Sequence, residues 1–155
     1  MITIGIDPGL SGSLVALGDD FSVICHQPMP TLMVGKKNRV NGSVVAQFIR
    51  QFQGERIKAV LEQVGAMPGQ GVSSMFSFGH SAGVIEGVLM ALEAPYVTVT
   101  PQAWKKSAGL IGKDKDAARS HCARLYPDLR ILDLKGKGQA VADAILIARH
   151  GMTLS

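Results

Sequence analysis

Three acidic side chains stand where a carboxylate is unusual. Asp7 ends the run Ile2-Thr3-Ile4-Gly5-Ile6 and precedes Pro8-Gly9, and Glu62 ends Ile57-Lys58-Ala59-Val60-Leu61. Asp143 lies inside Val141-Ala142-Asp143-Ala144-Ile145-Leu146-Ile147-Ala148, with no basic residue within one helical turn. Carboxylates brought close together repel unless a cation lies between them. An all-oxygen set of this kind suits Mg2+ or Mn2+. In a basic protein it also suits in-line attack of water on a phosphodiester, where a metal pair supplies a lowered pKa for the water and stabilisation of the leaving 3′ oxygen. Zinc is not indicated, because His26, His80, His121 and His150 are scattered and Cys25 and Cys122 lie far apart. Each acid has an ordinary reading as well. Asp7 can start an Asp-Pro turn, and Asp143 can be an acid favoured by a helix dipole.

The elements that must position these acids follow from periodicity. Residues 2–7 alternate apolar and small or polar side chains, as a strand does, and Pro8-Gly9 is turn chemistry. Beside Asp7 the turn Gly9, Ser11, Gly12 lets backbone approach a phosphate closely. Leu14 to Leu17 and residues 21–27 continue the pattern, giving three strands in an antiparallel meander. Residues 28–40 interrupt it with Pro28, Pro30 and Gly35, then Lys36, Lys37, Asn38 and Arg39. This stretch reads either as a solvated loop or as a basic arm on a phosphate backbone. Residues 41–52 form an amphipathic helix capped by Asn41 or Ser43. The strand 57–62 that follows a helix is expected parallel to the first. Asp7 and Glu62 then share one sheet edge, on strands roughly 5 Å apart.

The Gly-rich loop 65–73 leaves that edge, and residues 74–92 form a long helix. Gly79, Gly83 and Gly87 recur on it every four residues, allowing close packing on its own sheet or on a partner. Residues 96–99 are a final short strand. The next stretch holds the only tryptophan, Trp104, with Lys105 and Lys106, and no regular element is assigned to it. Residues 114–126 form a helix capped by Asp114, 129–137 a loop, and 139–150 a helix apolar nearly all round and therefore buried. Lys105, Lys115 and Arg119 read equally as solvated charge or as groups that receive phosphates or activate water. The expected fold class is α/β, a five-stranded mixed sheet flanked by helices.

The chain has 155 residues, the size of one domain, and is 46% hydrophobic and 18% charged. Its net charge of +4 favours an anionic partner without identifying it. The two cysteines are expected to be reduced, buried thiols of a cytoplasmic protein. The sequence enters a strand at once, without the basic region of a leader. No apolar run reaches membrane-span length, so no membrane partner is expected.

The IGIDPGLSG opening, LEQVGAMPGQG around Glu62, PQAWKK, GLIGKDK and the closing ADAILIARHG together resemble a RuvC-type Holliday junction resolvase of the RNase H-like (retroviral integrase) superfamily. They follow family order over nearly the whole chain. The segment GQGVSSMFSFGHSAGVIEG is most like the phage and prophage branch. The resemblance implies one nuclease domain over residues 1–155 and a crossover junction endodeoxyribonuclease acting on branched DNA. It implies paired nicks that leave 5′-phosphate and 3′-hydroxyl ends, and two Mg2+ per site, with Mn2+ able to substitute. Asp7, Glu62 and Asp143 are implied as metal ligands, with Asp7 bridging, and Lys105 and Lys115 as catalytic lysines near the scissile phosphate. DNA contacts are expected from Gly9, Ser11, Lys36, Lys37, Arg39, Lys106, Lys113 and Arg119. Gly65 stands nearest the place of a base-stacking aromatic in relatives, which leaves that role to Phe76 or Phe78. A homodimer through the helix of residues 74–92 is implied as well.

One departure from the family counts against full activity. Relatives carry a fourth ligand, Asp or His, three or four residues before the last Asp, where this chain has Ala140 and Gln139. Gln139 offers only a neutral, weaker oxygen ligand. The alternative is therefore a branched-DNA-binding module on the same fold with weak or no cleavage. A phosphotransferase of the sugar-kinase and actin type would need a second phosphate loop and a longer, two-lobed chain.

Overall fold

The computed structural model describes residues 1–154. Its centre is β1 (Ile2–Asp7), followed by β2 (Ser13–Leu17), β3 (Val23–Pro28), β4 (Thr31–Val34) and β5 (Lys37–Val40). Then come α1 (Gly42–Arg50), β6 (Ile57–Glu62), α2 (Val72–Ala91), β7 (Tyr96–Val99), α3 (Pro101–Ser107), α4 (Ala117–Leu125), a 3-10 turn (Arg130–Asp133) and α5 (Lys135–Thr153). The main sheet runs β3-β2-β1-β6-β7. β1 is antiparallel to β2, with Asp7 opposite Ser13, and parallel to β6, with Ile6 opposite Leu61. This is the five-stranded mixed α/β sheet expected from the sequence, in the RNase H-like arrangement.

Alternation along the strands sends side chains to two apolar layers. Ile4, Ile6, Leu14, Ala16, Ala59 and Leu61 pack with α1 and α2 residues such as Val45, Phe48, Ile85 and Leu89. Val15, Leu17 and Val60 pack on the other face against α5, together with Trp104 and Cys122. Gly5 makes that second layer possible. A Cβ there would collide with the Ala144 carbonyl oxygen of α5, so only glycine lets the helix that carries Asp143 lie directly on β1.

Several boundaries differ from expectation for local reasons. Residues 31–40 are not a loop or a free arm but the β4–β5 hairpin, closed around Gly35 in the left-handed region. Phe21 also takes a left-handed φ of 65°, which keeps it in the turn and delays the third strand to Val23. Asn41 caps α1 through the Val44 N–H, as one of the two expected caps. α2 starts earlier, at Val72, after Gly71 and without a side-chain cap. Asp114 does not cap α4; its carboxylate accepts the Asp116 N–H at 3.0 Å and the helix begins three residues later. α5 begins at Lys135, so Lys135-Gly136-Lys137 is its first turn rather than loop. Both thiols are free, but only Cys122 is buried, and Cys25 is half-buried. Burial and the Asp143 charge push the Cys122 thiol up to about 12. Among the described residues no helix is long and apolar enough to cross a membrane.

Candidate functional site

The parallel pairing of β1 with β6 brings Asp7 and Glu62 out at the same end of adjacent strands. α5 adds Asp143 from the layer above. The three charges feel one another. Burial, then Glu62, raises the Asp7 carboxyl to about 6, against the Gly9 N–H that donates to its Oδ1 at 3.4 Å. Burial, then Asp7 and Glu62, raises Asp143 to about 7, with Lys105 and Gln139 pulling the other way. Glu62 is raised by burial and held back by Trp104 and Lys105. The turn after Asp7 is tight. Gly12 N–H donates to the Gly9 carbonyl at 2.8 Å, and a Cβ on Gly12 would strike the Asp7 carbonyl oxygen.

Two carboxylates are tied to neutral donors. The Trp104 indole N–H donates to Glu62 Oε2 at 2.6 Å, and Gln139 Nε2 donates to Asp143 Oδ1 at 3.0 Å. The other Gln139 atom, Oε1, is buried and accepts no hydrogen bond. The donor chemistry fits a hard divalent cation: three carboxylates that resist ionising together, and an amide oxygen lacking a donor. The spacing is open, however. Among the described residues no group of three His, Cys, Asp or Glu side chains is placed to hold a metal ion as it stands.

Two hollows flank this edge. A cleft of about 910 Å3 has one wall from the β1–β2 turn, with Asp7, Gly9 and Ser11. The β4–β5 hairpin supplies a second wall with Lys36, Lys37 and Arg39, and the start of α2 a third with Phe76 and Phe78. The Arg39 guanidinium lies 5.7 Å from the Phe76 ring centroid. Phe76 and Phe78 are 63% and 42% exposed, an aromatic pair left open to solvent beside lysines. A second cavity of about 360 Å3 gathers Lys105, Lys113 and Lys115 around Gln139 and Asp143, floored by Trp104.

Two expected DNA contacts stand apart. Lys106 lines neither hollow. The Arg119 guanidinium is occupied by Asp116, at 2.8 and 2.9 Å, and by the Leu132 carbonyl at 3.0 Å. Trp104 is a neighbour of Glu62 that periodicity does not predict. Its signal was Thr100-Pro101, a cap followed by proline at the first helical position, which starts α3 one residue after β7. On α2, Gly79, Gly83 and Gly87 are exposed with nothing within 4 Å of a would-be Cβ, whereas Ser81, Ile85 and Leu89 meet the core. The glycine stripe therefore faces away from the chain's own sheet.

No protein-family model and no curated protein sequence matches this chain. Its fold does match solved structures. "T. thermophilus RuvC in complex with Holliday junction substrate" superposes with a TM-score of 0.63 at 13% identity, covering 97% of this chain and 91% of that one. "Thermus thermophilus RuvC structure" does so with a TM-score of 0.55 at 16% identity, covering 98% of each. The likeness is one of fold over nearly the whole chain.

Proposed function

We propose that this chain binds branched DNA as one RNase H-like domain and cleaves it weakly or not at all. The observation that carries this reading is the cleft. It sets the cations Lys36, Lys37 and Arg39 opposite the exposed rings of Phe76 and Phe78, at the edge where Asp7 and Glu62 emerge. Cations that track a phosphate backbone beside rings on which unpaired bases stack are the means of holding non-duplex DNA. The fold shared with a resolvase solved on a Holliday junction supports a four-way junction as the ligand. Weak cleavage follows from the open carboxylate set and from Gln139 and Ala140 in place of a fourth acid.

A second reading is a Mg2+-dependent, structure-selective endonuclease that nicks junctions in pairs. The raised Asp7 and Asp143 carboxyls favour it, because groups that resist ionising beside one another are relieved by a cation. Asp7, Glu62 and Asp143 would hold the ion, with Gln139 Oε1 as a weak further ligand. Mg2+ or Mn2+ there supplies a more acidic water and charge stabilisation for the leaving 3′ oxygen. The chain's own part is to orient the strand. Gly9 and Ser11 offer backbone and hydroxyl groups beside Asp7, while Lys105 and Lys115 offer positive charge across the cavity from Asp143. The exposed glycine face of α2 suits a second copy of the chain, giving a homodimer matched to a two-fold junction, and the setting is the cytoplasm.

A mobility-shift titration in EDTA compares a four-way junction with linear duplex of the same arms. The expected result is at least tenfold tighter binding to the junction. Equal affinity for the two would reject the branched-DNA reading.

A further inference from the structure

We infer that Trp104 is a positioning residue for Glu62, holding that carboxylate by one oxygen so that the other is presented to a divalent cation. The inference rests on cation uptake at the carboxylate edge, whether or not cleavage follows.

Trp104 is the only tryptophan and is 2% exposed. A buried indole N–H needs an acceptor, and here it takes Glu62 Oε2 at 2.6 Å. The path of the backbone explains how the two meet. β7 pairs with β6 so that Val99 lies opposite Glu62, and the Gln63 N–H donates to the Val99 carbonyl at 2.7 Å. Thr100 then caps α3 through the Ala103 N–H, and Pro101 starts the helix. The fourth residue of that helix thus returns over the strand end it has just left. No other hydrogen bond to the Glu62 carboxylate is made among the described residues, so Trp104 alone fixes its orientation. Lys105, with Nζ 5.4 Å from the indole centroid, adds positive charge on the same side.

A purely structural Trp104 would fill space between α3 and α5 and would need only its ring. Trp104→Phe keeps most of the ring and removes the N–H donor, which separates the two roles. Residues that orient a metal ligand change metal affinity by roughly 10–100-fold when replaced.

The test uses the whole chain. In 15N-labelled protein the single indole N–H resonance should move on Glu62→Gln and on addition of Mg2+. Calorimetric titration with Mn2+ should show a dissociation constant at least tenfold higher for Trp104→Phe, with cooperative melting retained. An indole resonance indifferent to Glu62→Gln overturns the inference even if Trp104→Phe fails to fold. So does an unchanged Mn2+ affinity in Trp104→Phe, or a wild-type protein that takes up no Mn2+ at millimolar concentration. Junction binding in EDTA is scored separately. Its loss in the wild-type protein would sink the DNA reading while leaving the indole and Mn2+ results to stand or fall alone.

Discussion

The cleft beside the hairpin and the cavity beside α3 flank the same carboxylate edge, yet they are furnished differently. The cleft is wide and carries three cations and two exposed rings, with Asp7 as its only acid. Around the smaller cavity, three lysines surround Asp143, whose helical neighbour is an amide rather than a second carboxylate. On the proposed reading, binding and chemistry are therefore separable in this molecule. On that reading the cleft supplies what holds a phosphate backbone, whereas the cavity sets three lysines against Asp143 and Asp114, with the Gln139 amide rather than a further carboxylate one turn from Asp143.

Asp7 divides the two most cleanly, because it borders the cleft but belongs to the carboxylate set. Asp7→Asn is expected to abolish any Mg2+-dependent nicking while junction affinity stays equal or rises, because a negative charge is removed beside phosphates. Gel assays of both quantities check this, and joint loss would assign Asp7 a folding role instead. Next in size, Lys36→Glu with Lys37→Glu should weaken junction binding by about tenfold or more. It should also flatten the slope of log affinity against log salt by roughly 0.9 for each phosphate that is no longer neutralised. Unchanged binding would reduce the hairpin to solvated surface and move the interface to the lysine cavity.

The site was legible in the sequence wherever it depends on strand order. A carboxylate after alternating small and β-branched residues, and a second after a strand that follows a helix, were enough to place Asp7 and Glu62 at one edge. Asp143 stands out by being unpaired in an apolar helix, although the sequence gives no sign that Gln139, one turn away, donates to it. What sequence did not reveal either lacks a buried face or depends on contacts between distant segments. The hairpin of residues 31–40 turns on a left-handed Gly35, and its first strand is exposed throughout, so no buried face marks it in the sequence. Trp104 meets Glu62 only because α3 folds back from β7. Arg119 reads as a surface cation in sequence; its pair with Asp116 is local, three residues away, but its bond to the Leu132 carbonyl depends on where the chain returns.

A smaller effect contrasts the two acids by their titration. Asp7 and Asp143 hold protons in the folded state up to about 6 and about 7, against 3.8 when unfolded. The folded chain thus binds more protons than the unfolded chain between about pH 4 and 7, and stability falls as pH rises through that window. In EDTA the Tm should drop by several degrees between pH 5 and 7.5, at roughly 2–4 °C per kcal/mol for a chain of this size. Asp143→Asn should flatten the drop more than Asp7→Asn does, because Asp143 is the more strongly shifted. Mg2+ should restore part of the loss at pH 7.5. Differential scanning calorimetry at the two pH values reads all three, and a Tm that rises with pH would contradict the coupled carboxylates.

A complete binding cleft beside an incomplete chemical site is put to the test by nicking of a four-way junction in Mg2+, using the wild-type chain, Gln139→Asp and Ala140→Asp. The expected result is junction binding by all three, with weak or no nicking by the wild type. At least one of the two variants should then nick at least tenfold faster. A wild-type chain that nicks the junction as fast as both variants would show that the site is already complete and would contradict the account.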